Sequence, residues 1–138
     1  MKLVTYANSD TPAIGALIDD SICPFTNDAS LPNEMKLFLE GGEANMNKAT
    51  DLLNKAENLI PLDSVTLLSP ILNPQKILAI GLNYADHIEE SGMEKPKIPM
   101  VFNKQSSSVT GHNGVIHLPR ASEALDYEAE MAFVIGKQ

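Results

Sequence analysis

In the stretch Asp126-Tyr127-Glu128-Ala129-Glu130-Met131-Ala132-Phe133-Val134-Ile135, the residues from Met131 onward are apolar at odd and even positions alike, and this sets the expected fold. Side chains on a strand alternate between faces, so such a run predicts a strand covered on both sides, as at the centre of a layered or barrel-like sheet. Upstream, residues 115–118, 100–102 and 77–80 form further short apolar runs separated by turn residues. Asn113-Gly114 suits a hairpin turn, because both residues tolerate positive φ. The run 77–80, ended by Gly81, predicts a buried strand. This second part of the chain therefore reads as mainly β. A central strand at 131–135 needs neighbours on both sides, and few candidates precede it, so the chain is expected to be the amino-terminal portion of a longer protein.

Further upstream the pattern changes. Residues 3–7 and 13–18 read as strands joined at Asn8-Ser9-Asp10, and Asp19-Asp20 makes the next reversal. A short helix is predicted at 35–39, stopped by Gly41-Gly42. A longer one is predicted at 43–58, where Ala49, Leu52, Leu53 and Ala56 recur at helical spacing before Pro61 ends it. Pro70 and Pro74 bracket a connector. The expected division is a small α+β amino-terminal domain at 1–73 and the first part of a second domain at 74–138.

Size and composition fit a folded globular chain: 138 residues, 43% hydrophobic, with glycine, proline and charge in the ordinary range. The formal net charge of −8 argues against a nucleic-acid partner, which needs a basic face, and against an anionic membrane surface. Residues 1–15 lack the apolar run of a secretory signal, and no stretch approaches a membrane span. The single cysteine, Cys23, precludes an internal disulfide, and the expected location is cytoplasmic.

Several residues could carry chemistry. Glu128 and Glu130, two apart in a strand, would project to one face about 7 Å apart at the backbone. Two carboxylates there repel unless a cation is present or the strand end lies in water. The pair reads either as part of an oxygen-only site suited to Mg²⁺, Mn²⁺ or Ca²⁺ or as a solvated strand end. Between Ala85 and Glu90 a helical turn would put His87 and Glu90 on one face, so that the carboxylate could orient the imidazole as a general base. The alternative is an exposed acidic helix. Gly92 and Pro96 would let this segment move as a lid. Lys104, just past an apolar run, could aim its ammonium at an anionic substrate, and Ser106-Ser107-Ser108 could donate hydrogen bonds to a carboxylate or form a plain loop. His112 and His117 lack ligand spacing. Nucleophile elbow, Cys-x-x-Cys, phosphate loop and dinucleotide fingerprint are all absent.

Taken together, Lys76-Ile77, Gly81-Leu82-Asn83-Tyr84-Ala85-Asp86-His87, Glu90-Ser91-Gly92, Pro99, Phe102, Lys104, Ser107, Gly111, Leu118-Pro119 and Asp126-Tyr127-Glu128-Ala129-Glu130, followed by Val134-Ile135-Gly136-Lys137, resemble the fumarylacetoacetate hydrolase family in its shorter bacterial and mitochondrial-type members. The resemblance spans nearly everything from Lys76 onward, and the first part of the chain, with residues 1–6 and Ile14-Gly15-Ala16, looks like the small domain that precedes the catalytic one. It implies a mixed β-sandwich roll, usually a homodimer, with Mg²⁺ or Mn²⁺ in a carboxylate site. By that likeness Glu128 and Glu130 are metal ligands, and His87 and Glu90 form the lid dyad. Lys104 and Ser107 then face a small keto or diketo acid that undergoes C-C hydrolysis, decarboxylation or isomerisation through an enolate. His112 departs from the family, where proline is usual after the glycine. The family's third ligand is an aspartate on a later strand, which would lie beyond Gln138. The competing expectation is a non-catalytic fragment that acts as a binding module.

Overall fold

The computed structural model describes residues 1–136, and these form two compact units. The chain passes from the first to the second between Ile71 and Leu72 and returns between Val109 and Thr110.

The first unit is organised by a five-stranded antiparallel sheet in the order β4-β3-β2-β1-β5. Its strands are β1 (Lys2–Asn8), β2 (Thr11–Ile18), β3 (Ser21–Pro24), β4 (Ile60–Pro61) and β5 (Thr66–Leu67). Two-residue turns join the first three. Ser9 and Asp19 take left-handed φ values of 67° and 49°, which small polar residues tolerate, and these turns fix the register Asn8↔Thr11 and Ile18↔Ser21. Gly15 lets β2 and β3 meet closely: a Cβ there would stand 2.6 Å from the Cys23 carbonyl oxygen. Past the short edge strand β5, the Thr5 hydroxyl donates to the Pro70 carbonyl at 2.7 Å, satisfying a buried polar group and tying the connector to β1.

Two helices cover one face of this sheet. In α1 (Met35–Glu40), the Glu34 carboxylate accepts from the Lys36 and Leu37 amides at 3.1 and 3.2 Å, so the first turn is capped. Gly42, at φ +56°, turns the chain into α2 (Gly42–Lys55). Ile14, Ala16, Phe25, Leu31, Met35, Phe38 and Ala49 form the core, with Met46, Leu52 and Leu53 packed against it. The Phe25 and Phe38 rings lie 4.7 Å apart at a tilt of 32°. The second helix stops earlier than its periodicity suggests. Ala56 adopts φ 48° and its N–H donates to the Leu52 carbonyl at 3.0 Å, closing the helix before Asn58, which is itself left-handed.

The segment from Thr110 onward joins this unit through Gly111, where a Cβ would approach the Leu67 carbonyl oxygen to 2.5 Å. The hairpin expected at Asn113-Gly114 is not formed among the described residues: the turn is centred one residue earlier, with Asn113 at φ 59° and the Gly114 N–H donating to the Gly111 carbonyl at 3.0 Å, and no strands flank it. The strands expected at 115–118 and 131–135 are not formed: among the described residues both stretches lack ladder pairing. Their side chains are exposed, Phe133 at 77% and Ile135 at 91%. An apolar run becomes a strand only where another backbone pairs with it, and none does so here.

The second unit is a two-stranded antiparallel ribbon of β6 (Ile77–Gly81) and β7 (Met100–Lys104), with Ile77 opposite Lys104 and Gly81 opposite Met100. Residues 77–80 are a strand, as expected, but not a buried one. Along β6 half-buried and exposed positions alternate, and Leu78 is 63% exposed, because a lone ribbon covers neither of its faces fully. The eighteen-residue connection between the strands carries α3 (Ala85–Ser91). The described residues are mainly β, with no helix long and apolar enough to cross a membrane.

Candidate functional site

His87 and Glu90 both lie on α3, which begins four residues after the last residue of β6. Leu82, the first residue past the strand, is left-handed at φ 53°, an uncommon state for a large side chain. It bends the chain out of the ribbon and starts the Asn83-Tyr84 approach to the helix. The Asp86 carboxylate then accepts from the His87 backbone N–H at 3.0 Å, and the Ser91 hydroxyl donates to the Ile88 carbonyl at 3.0 Å. Gly92, left-handed at φ +65°, ends the helix with its N–H on the Glu89 carbonyl at 3.2 Å. Three positions apart on a helix, His87 and Glu90 share a face, as their spacing predicts.

Lys104 closes β7 at the other end of the ribbon. Its partner in register is Ile77, about 13 Å along the strand from Gly81, where the chain departs toward α3. Two positions from Phe102 on one strand, the Lys104 ammonium lies over that ring, with Nζ 5.3 Å from its centroid. The aromatic face thus holds a cation at the strand end. Ser107 sits in the tight 3₁₀ turn Ser106–Ser108, which the Ser108 hydroxyl braces by donating to the Gln105 carbonyl at 2.7 Å.

Glu128 and Glu130 lie in the extended stretch that belongs to the first unit, and both are exposed. Without a ladder, no pleat fixes their side chains to one face. Among the described residues no three His, Cys, Asp or Glu side chains gather into a ligand cluster. The two glutamates alone still match one metal chemistry. Magnesium-type ions take hard oxygen donors, chiefly carboxylates and water, so a Glu-x-Glu pair supplies donors of the right kind for part of such a site.

Sequence reasoning gave the segment after α3 only a lid role, through Gly92 and Pro96. Exposed Lys95, Lys97 and Met100 border an open surface groove of about 190 Å³ with Ile80 and Leu82 in the second unit. Pro96 and Pro99, which limit the backbone between the lysines and the strand, were the available signal.

Comparison with known proteins adds the following. Residues 76–138 match the family model for the fumarylacetoacetate (FAA) hydrolase C-terminal domain. Over 143 aligned positions the chain is 41% identical to the oxaloacetate tautomerase fahd2, mitochondrial, of Xenopus laevis, covering all of this chain and 45% of that protein. Two crystal structures are similar in fold. An HpcE protein of Mycobacterium smegmatis superposes with a TM-score of 0.67 at 27% identity, covering 87% of this chain and 41% of the other. A maleylpyruvate hydrolase of Sphingobium sp. SYK-6, in complex with manganese(II) and pyruvate, gives 0.58 at 26% identity, covering 80% and 39%. The chain therefore spans less than half the length of these relatives.

Proposed function

Because the chain belongs to the fumarylacetoacetate hydrolase family, we propose that it carries part of the active site of a divalent-metal-dependent enzyme acting on small keto or diketo acids. Residues 1–73 would be the small amino-terminal domain and 74–138 the start of the catalytic one. The observation that carries this reading is the placement of His87 and Glu90 on one face of α3, directly after the Leu82 bend and within the family-matched residues.

In this proposal Glu128 and Glu130 hold Mg²⁺ or Mn²⁺, an assignment supported by their donor chemistry and by the manganese in the maleylpyruvate hydrolase structure. When bound, the ion would supply charge stabilisation at the developing enolate oxygen. Glu90 orients the His87 imidazole and stabilises its protonated form, and His87 moves the proton to or from the reacting carbon or an attacking water. Lys104, steadied by the Phe102 ring, faces the substrate's negative charge, and Ser107 donates a hydrogen bond to it. The expected assembly is a homodimer.

A metal-dependent screen of the full-length protein tests this reading, since the 138-residue chain alone is expected to be inactive, using oxaloacetate tautomerisation, oxaloacetate decarboxylation and acylpyruvate hydrolysis with Mg²⁺, Mn²⁺ or a chelator. Turnover should require metal, and His87→Ala should lower kcat by about 10²–10⁴-fold. Full activity in Glu128→Ala would remove the metal assignment. The exposed apolar residues of 115–135 favour a second reading, a non-catalytic interaction module. Absence of turnover by the full-length protein on all substrates, combined with tight self-association of the 138-residue chain in sedimentation, would select it.

A further inference from the structure

On one side, β2 pairs with β1 from Thr11 opposite Asn8 to Leu17 opposite Lys2. On the other, β3 accompanies it only from Ile18 back to Gly15, because β3 ends at Pro24 and the chain turns away through Phe25–Asn27. Residues 11–14 therefore form an open stretch of sheet edge, and such an edge is a template for another strand. The two-residue turn that sets Ile18 opposite Ser21 fixes the alternation: even-numbered residues of β2 direct their backbone N–H and C=O toward the β3 side. On the open stretch these are Pro12 and Ile14. Pro12 has no N–H to offer. Its carbonyl accepts from the Asn33 side-chain Nδ2 at 3.4 Å, and the Ile14 N–H donates to the Asn33 Oδ1 at 3.3 Å. One side-chain amide thus occupies both groups that an incoming strand would need. Asn33 is held from both sides. Leu31 before it lies in the core with its N–H on the Asp28 carbonyl at 3.0 Å, Pro32 fixes φ, and Glu34 after it caps α1.

We propose that Asn33, together with Pro12, closes the residue 11–14 edge of β2 against pairing with a second copy of this chain. The inference concerns the first unit alone and does not depend on the enzymatic reading. Strands β4 and β5 cover part of the outer sides of β3 and β1, and here a side chain does the same for β2. Without the Asn33 amide, the Pro12 carbonyl and the Ile14 N–H face water, and the same stretch of a second copy, running antiparallel, offers the Ile14 N–H and Pro12 carbonyl that match them. A residue with an N–H at position 12 would add a further donor to that pairing.

Amide hydrogen exchange of the 138-residue chain, read at Ile14 with Ala16 as internal reference, tests this. Asn33 lies at the surface, so Asn33→Ala leaves the core intact. In dilute solution that variant should speed exchange at Ile14 by about three- to tenfold and leave Ala16, paired with Cys23, unchanged. In the double variant Pro12→Ala, Asn33→Ala, raising the protein concentration from about 10 µM to about 1 mM should restore protection at Ile14, because a second copy then takes that N–H. The unsubstituted chain should show no such dependence. Asn27→Ala, which removes another side-chain bond of this unit, from Asn27 to the Glu57 carbonyl, should leave Ile14 exchange as it is. Self-association through the exposed apolar residues of 115–135 would not change Ile14, so the two modes are told apart. Exchange at Ile14 that is unchanged in Asn33→Ala, or that is independent of concentration in the double variant, overturns the proposal.

Discussion

The amino-terminal sheet and the β6–β7 ribbon are both antiparallel and both rich in aliphatic residues, yet one buries them and the other displays them. In the first, Ile14, Phe25 and Phe38 are at most 1% exposed, because α1 and α2 lie across the face that β2 presents. In the second, Leu78 is 63% exposed and Val101 55%. The difference lies in cover. A sheet face is stabilised only when a second layer removes it from water, and a two-stranded ribbon with one short helix has too little surface to provide that layer. The residues proposed for proton transfer and substrate contact all belong to the thinly covered unit.

The largest effect that could break this contrast is expected at Phe38. Phe38→Ala should cost about 3–5 kcal/mol in urea denaturation, since the ring is fully buried against Phe25. A loss below about 1 kcal/mol would mean that the first unit is no better packed than the second. A smaller effect should appear with pH. Burial pushes the Cys23 thiol above its ordinary value of 9.0, and burial together with the nearby Cys23 raises the Tyr6 hydroxyl above 10.0. Both groups are stabilised in their neutral forms, so this contribution is complete below pH 9 and is lost as pH rises through the raised folded values. Thermal melts of the first unit should therefore fall in temperature above pH 9, and Cys23→Ala should delay that fall toward pH 10. The ribbon has no buried ionisable group to match. The smallest effect belongs to Leu78→Ser, expected to change stability by less than about 0.5 kcal/mol because little apolar area is lost. A large loss would show that the β6 face is covered in solution.

Legibility in the sequence followed the same division. The β1–β2 hairpin and the Asp19-Asp20 reversal were readable because their turn residues encode the geometry locally, and so were α1 and most of α2. The early end of α2 was not, since Ala56 gives no compositional sign that it will turn left-handed. Strands β4 and β5, two residues each, exist only because β3 and β1 offer edges to pair with, and no periodicity can announce that. The runs at 115–118 and 131–135 err in the opposite direction: their composition suits strands, but pairing is a property of a partner backbone. At the candidate site, the His87-x-x-Glu90 spacing was legible because a helix converts spacing into proximity. The open groove at Lys95 and Lys97 was not, because the chain folds back onto the end of β6 from a stretch that reads only as a movable lid.

The strand order has a consequence for biosynthesis. Tyr6 pairs with Leu67 and Ala7 with Thr66, so β1 leaves the ribosome with one neighbour available almost at once and the other only after the whole helical segment has been made. The β1–β2–β3 meander can form early, but its outer edge stays open to other nascent chains until Leu67 emerges. Translation that pauses before that point would prolong the interval in which this edge is unprotected.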